Sequence, residues 1–183
     1  MMKLIAAILM LSVAEAAGPG AWSAPTEVRS DENLCLTYRA RLDGSFLVIQ
    51  TKVESPWHTF SMDNRQRAEE KLAGKKSLGI DQPTEFTLTG GLEAAGPWYQ
   101  TAPKDFSKPQ LRWFSWGFEK DAVFAAKVRR SGAGPAKIAV KGQACTDVTC
   151  KNIDVAISLP LSGGSGDPSA INLKELVPVT SSR

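Results

Sequence analysis

Three cysteines and a single histidine are the thiol and imidazole side chains of this 183-residue chain, the first candidates for nucleophilic or zinc-type chemistry near neutral pH. Cys145 and Cys150 stand five positions apart in GQACTDVTC, residues 142–150, while Cys35 lies far upstream. A C-x4-C pair either staples a loop or cycles between dithiol and disulfide, and in an oxidising compartment the spacing by itself favours the staple. A zinc site asks for about four ligands; three cysteines and His58 make a poor set, and no metal is expected. Cysteine nucleophile chemistry with a histidine base needs a third group to orient the ring. His58, next to Trp57, has no visible third partner and reads as a packed or surface histidine. Lys151 adjoins Cys150 and favours its thiolate, while Asp147 opposes ionisation of the pair.

The elements that must position these residues are strands. From Asn33 to Pro160 short alternating runs are separated by turn residues, the pattern of an all-β sandwich. Residues 34–42 place Leu34, Leu36, Tyr38, Ala40 and Leu42 on one face, and Asp43-Gly44 turns the chain into residues 45–53 as a hairpin. Further strands are expected over 57–62, 84–90, 111–118, 122–129, 136–144 and 153–161. Residues 64–76 are dense in charge, with Arg65 and Glu69, then Arg67 and Lys71, at i,i+4 spacing, and read as a solvated helical turn. A strand ending at Cys145 and a neighbour starting soon after Cys150 bring both sulfurs within bonding range, at Cα separations of about 5.5 Å. So small a ring restricts the unfolded chain little, and such a bridge stabilises a fold less than a cross-sheet one. Leu34 and Leu36 put Cys35 on the opposite face of its strand, where it lies outward or, the favoured reading, buried beneath another segment.

The N-terminus supplies a lysine followed by LIAAILMLSVA and then Ala14-Glu15-Ala16, which reads as a cleaved secretory signal over residues 1–16, with a boundary as late as about residue 24. The apolar run is too short to span a bilayer, which takes about 20 residues; an uncleaved anchor is the alternative. Residues 25–161 form the expected domain, 162–169 (SGGSGDPS) a flexible linker, and 162–183 as a whole a flexible C-terminal tail in which INLKELV makes either a short helix or a docking strand. The net charge of +3 is dispersed and interleaved with acids, without the basic stripe that neutralises phosphates, so nucleic acid is not an expected partner.

The stretches PWHTFSMD (56–63), SLGIDQPTEFTL (77–88) and above all VKGQACTDVTC (140–150), followed by a closing strand, resemble the N-terminal periplasmic domain of the DsbD family of thiol:disulfide interchange proteins. Gln143, Ala144, Cys145 and Cys150 match the family's cysteine motif position for position. The resemblance implies an immunoglobulin-like antiparallel β-sandwich, a periplasmic location, and a redox-active Cys145–Cys150 pair with Cys150 bonding the partner and Cys145 resolving it. It implies an aromatic cap over the pair, which by chain order is Leu111 to Trp116 with Trp113, Phe114 and Trp116 as shields and Trp98-Tyr99 as the rival. His58 and Phe60 match aromatic strand positions near the active site. Thioredoxin-like periplasmic proteins and a separate membrane electron donor are the implied partners, and no small-molecule cofactor is implied. Lys151-Asn152 stand where the family carries two prolines, and its polytopic membrane and thioredoxin-like domains have no counterpart here. The competing reading is a non-catalytic immunoglobulin-like binding module with a static bridge; an exported hydrolase is disfavoured by the missing His-centred constellation.

Overall fold

The computed structural model describes residues 20–161 and 171–180; the expected signal over 1–16 and the linker at 162–169 lie outside them. In chain order the strands are β1 (Thr26–Ser30), β2 (Asn33–Asp43), β3 (Phe46–Val53), β4 (His58–Phe60), β5 (Glu85–Gly90), β6 (Leu92–Thr101), β7 (Lys104–Asp105), β8 (Trp116–Phe118), β9 (Ala122–Arg130), β10 (Ala136–Cys145), β11 (Cys150–Leu159) and β12 (Leu176–Pro178). Helix α1 (Asn64–Leu72) follows β4, and 3-10 turns occupy Pro109–Leu111 and Leu173–Glu175. One sheet runs β1-β2-β3-β9-β6-β12; the other runs β11-β10-β4-β8-β7, with β5 continuing the row of β4 along β10. Every pairing is antiparallel. The molecule is thus an antiparallel β-sandwich, immunoglobulin-like in its plan of two facing sheets.

Alternation in the sequence becomes the two inner faces. Leu36, Tyr38 and Ala40 of β2, Leu47 and Ile49 of β3, Ile138 and Val140 of β10, and Ile153, Ile157 and Leu159 of β11 share one buried core. The Asp43-Gly44 turn joins β2 to β3, with Gly44 at φ +58, a left-handed backbone that glycine adopts without steric cost. Phe86 touches Tyr38, Trp98 and Phe124, whose rings carry the core across both sheets. Burial pushes the Tyr38 phenol far above its ordinary range, an effect that the hydroxyls of Thr59, Thr84 and Thr51 only partly offset. Cys35 is fully buried and belongs to the same core, although Leu36 beside it is buried too.

Three elements differ from their expectations. The strand expected over 111–118 is real only at Trp116–Phe118. Upstream of it the chain reverses through Pro109–Leu111 and through Arg112 at φ +52, and a Lys108–Trp113 bridge closes the resulting loop. The charged segment makes a true helix, and its inner side is packed: Asn64, Ala68 and Leu72 are buried. Its ion pair is not one of the spacings anticipated but Arg67 with Asp63, 2.9 Å apart. Strand β6 has no clean alternation in the sequence because Gly96-Pro97 interrupt it, and its register shifts between Ala94 and Trp98.

The C-terminal segment resolves into a docking strand. β12 pairs with β6, so the flexible-tail reading does not extend to residues 171–180. Its ends are fastened by carboxylates: Ile171 N donates to Asp43, and Thr180 N to Asp63 Oδ2 at 3.3 Å. Burial works against ionisation of Asp63, but hydrogen bonds from Arg67, Gln100 and Ser61 outweigh it and hold the carboxyl below its usual pKa.

The fold's closest backbone approach lies between β8 and β4, where a Cβ on Gly117 would meet the Thr59 carbonyl oxygen at 2.0 Å. Only glycine lets β8 pair there. Gly117→Ala is expected to destabilise the domain by about 1–3 kcal/mol, the usual cost of forcing extra volume into a packed region, read as a lower midpoint in urea unfolding; an unchanged midpoint would show that the two strands separate freely.

Candidate functional site

The site begins with a register. β10 and β11 form a ladder of facing residues from Ala136 and Leu159 to Cys145 and Cys150. The last rung is a disulfide with Cα atoms 4.0 Å apart, closer than the separation of about 5.5 Å expected and than the about 4.5 Å of the closer class of facing pairs in an antiparallel ladder. The four residues between the cysteines fold on themselves: Thr146 N donates to Thr149 O at 2.8 Å, and the Thr146 hydroxyl accepts from Val148 N at 3.3 Å and Thr149 N at 3.2 Å. The two cysteines are not equivalent: Cys145 is 2% exposed, whereas Cys150 is exposed.

On its other edge the end of β10 pairs with β4, so that His58 faces Cys145 and Thr59 faces Ala144. Thr59 Oγ1 fixes that pairing by donating to Gln143 O at 2.9 Å. Successive strand residues point to opposite faces. Ala144 belongs to the core, and Cys145 therefore lies on the outer face of its sheet. Its burial comes from loops lying over that face.

Those loops and strands form a cleft of about 360 Å³ lined by Cys145, Cys150, His58, Phe60, Phe106, Trp113, Lys108 and Asp81, among others. A larger, shallower concavity of about 910 Å³ adjoins it between Ser55–Trp57 and Glu119–Asp121, but neither cysteine reaches it; the chemistry sits in the smaller space. The His58 ring packs edge-on against Phe60 at 5.4 Å and tilted against Phe106 at 5.2 Å. The excursion between β7 and β8 forms one wall of the cleft through Phe106, Lys108, Trp113 and Ser115, held at its base by Phe106 N to Ser115 O (2.9 Å) and Lys108 N to Trp113 O (2.7 Å). Trp113 donates its indole N–H to Asp81 Oδ2 at 2.9 Å, and the Lys108 ammonium lies 5.3 Å from its ring centroid, a cation–π contact.

Of the three aromatic shields expected, the structure brings Trp113 to the cysteines. Phe114 is half-buried and Trp116 buried, and neither lines the cleft. Trp116 instead joins β8 to the helix, its backbone N–H donating to Asn64 Oδ1 at 2.7 Å. The rival pair is also elsewhere: Trp98 stacks on Phe86 at 5.1 Å, and Tyr99 faces Pro178 in the other sheet. His58 and Phe60 both line the cleft. Phe106 and Asp81 were not singled out from the sequence. Phe106 stands alone between Asp105 and Ser107 and carries no local signal; Asp81 lies within the 77–88 segment, and no spacing rule marks it. Cys35 does not reach the cleft; burial raises its pKa, with the Ser30 backbone and the charges of Lys151 and Arg29 opposing. Among the described residues no group of three or more His, Cys, Asp and Glu side chains could hold a metal ion.

Burial lowers the pKa of His58, and Lys108 adds to the effect; the carboxylates of Asp81, Asp147 and Glu119 oppose it without cancelling it. The folded protein thus prefers neutral imidazole, and below the ordinary histidine value of about 6.5 the unfolded chain binds the extra proton more readily. His58 is expected to titrate by NMR below that value. Stability should fall as pH drops through 6.5, levelling once the folded-state pKa is passed, and His58→Gln should remove this component; a midpoint at or above 6.5 would contradict the reading.

No protein-family model and no curated protein matches the chain. Among solved structures, the crystal structure of the Neisseria meningitidis DsbD N-terminal domain in its reduced form is similar, with a TM-score of 0.41 and 10% sequence identity over 71% of this chain and 87% of that one.

Proposed function

We propose that the chain is an exported, periplasmic thiol–disulfide exchange domain that passes reducing equivalents through Cys145 and Cys150. The observation that carries this reading is the asymmetry of the disulfide: one cysteine exposed, its companion buried, both lining a cleft with aromatic side chains. A bridge that only stapled the hairpin would add little to a ladder that already holds both strands in register. In the reduced state the Cys150 thiolate attacks a partner disulfide, forming a mixed disulfide and releasing one partner thiolate. Cys145, as thiolate, then attacks Cys150 Sγ, closing the bridge and expelling the second partner thiolate. Two electrons pass to the partner, and one disulfide is exchanged for another. No small-molecule cofactor is required, because sulfur carries the electrons. Suitable partners are thioredoxin-like periplasmic proteins on one side and a separate membrane protein as electron donor on the other. Among the described residues no helix is long and apolar enough to cross a membrane.

Two measurements test this. A redox titration of the pair should give a potential above about −300 mV, the region below which structural disulfides of secreted proteins lie. In a Cys35→Ser background, Cys145→Ser should trap mixed disulfides from periplasmic extract under alkylating quench, whereas Cys150→Ser should trap few. Equal trapping would defeat the assignment of roles, and a potential below that limit with no trapping would make the domain a binding module with a static bridge.

A further inference from the structure

We infer that the loop at residues 77–82 is a latch on the cleft and that Asp81 is its positioning residue, holding Trp113 over the disulfide through one hydrogen bond. The root of this loop is tied to three parts of the site. Asn64 Nδ2 of α1 donates to Asp81 O at 2.9 Å, Gln82 N donates to Gln143 Oε1 on the cysteine-bearing strand at 3.1 Å, and Thr84 Oγ1 donates to Phe60 O in β4 at 2.7 Å. Rigidly rooted, the loop reaches the cap excursion through two polar contacts, Trp113 Nε1 to Asp81 Oδ2 at 2.9 Å and Ser77 Oγ to Arg112 O at 2.8 Å.

Apolar packing does not reinforce these contacts at the tips. Leu78 is 75% exposed and Leu111 46% exposed, so these two large side chains, one on each segment, add little packing between them. An indole has a single N–H to give, and Asp81 takes it; without that acceptor no side-chain hydrogen bond holds the ring, and the Lys108 cation–π contact alone remains on its face. The bond to a carboxylate is of the stronger, charge-assisted kind. The cap is therefore clamped by hydrogen bonds that water can compete for, an arrangement suited to release when a partner docks. Asp81 touches neither sulfur in this scheme; it acts through Trp113.

The inference rests on the cleft being the place where the disulfide is reached. Its test reads chemical reduction by dithiothreitol, which also proceeds at a static bridge, so it fails or succeeds independently of the exchange function. Four variants are compared with the parent chain: Asp81→Ala, Asp81→Asn, Trp113→Phe and the double variant Asp81→Ala/Trp113→Phe. Asp81→Ala removes the acceptor and Trp113→Phe the donor, and each should speed reduction by about five- to tenfold, the scale of one net hydrogen bond. Asp81→Asn keeps a carbonyl acceptor and should stay within about twofold of the parent. The double variant should be no faster than the singles, since both remove the same bond. Hydrogen exchange of the Trp113 indole should lose protection in Asp81→Ala and keep it in Asp81→Asn. Equal acceleration by Ala and Asn would mean that Asp81 acts only by repelling the attacking thiolate, and additive acceleration in the double variant would uncouple the two residues; either overturns the latch. Should Asp81→Ala fail to fold, Trp113→Phe decides, because it leaves the loop intact, and an unchanged rate there overturns the latch.

Discussion

The end of β10 is paired on both edges at once, to β11 through Cys145 and Cys150 and to β4 through Cys145 and His58. Everything at the site follows from that double pairing. A strand's side chains alternate faces, so a slip of one residue would send Cys145 into the core and Ala144 outward. The register is protected from such a slip by the buried residues of β10 further along, Ile138 and Val140, which must keep their own parity. The hydrophobic core thus fixes, at a distance, which sulfur meets which.

Above that register the site is made of loops. Cys145 is on the outer face of its sheet, where a side chain would ordinarily meet water, and it is buried because the excursion between β7 and β8 folds across it. Gly117 allows the foot of that excursion to press against β4, and Lys108 and Trp113 close its neck. Segments held by a few hydrogen bonds open at lower free energy than the ladder beneath them. Rigid strands therefore place the sulfurs, and a more yielding cover governs access to them.

Much of this was legible in the sequence, and what was not has physical causes. Alternation marked β2, β3, β9, β10 and most of β11, because one face of each supplies the core, although in β3 and β9 part of the other face is buried as well. It failed for β6, where Gly96-Pro97 break the pattern, and for β12, whose three residues are too few to show a period. The run 111–118 looked like a strand since it is rich in aromatic side chains, yet half of it is loop; the Arg112 backbone reversal leaves no mark in residue types. The cysteine pair was visible through its spacing and its neighbours. Phe106 and Asp81 were not, because their roles arise from contacts between segments 25 and more residues apart in the chain, Phe106 with His58 and Asp81 with Trp113.

The unequal exposure of the two sulfurs has a stereochemical consequence. Displacement at sulfur is in-line: the entering thiolate, the sulfur attacked and the departing sulfur lie along one axis. With Cys150 outward and Cys145 inward, that axis runs from solvent into the cleft, so an incoming thiol has one direction of approach and the leaving group is driven towards His58 and its aromatic neighbours. The departing sulfur stays within the cleft, beside the cysteine that it left.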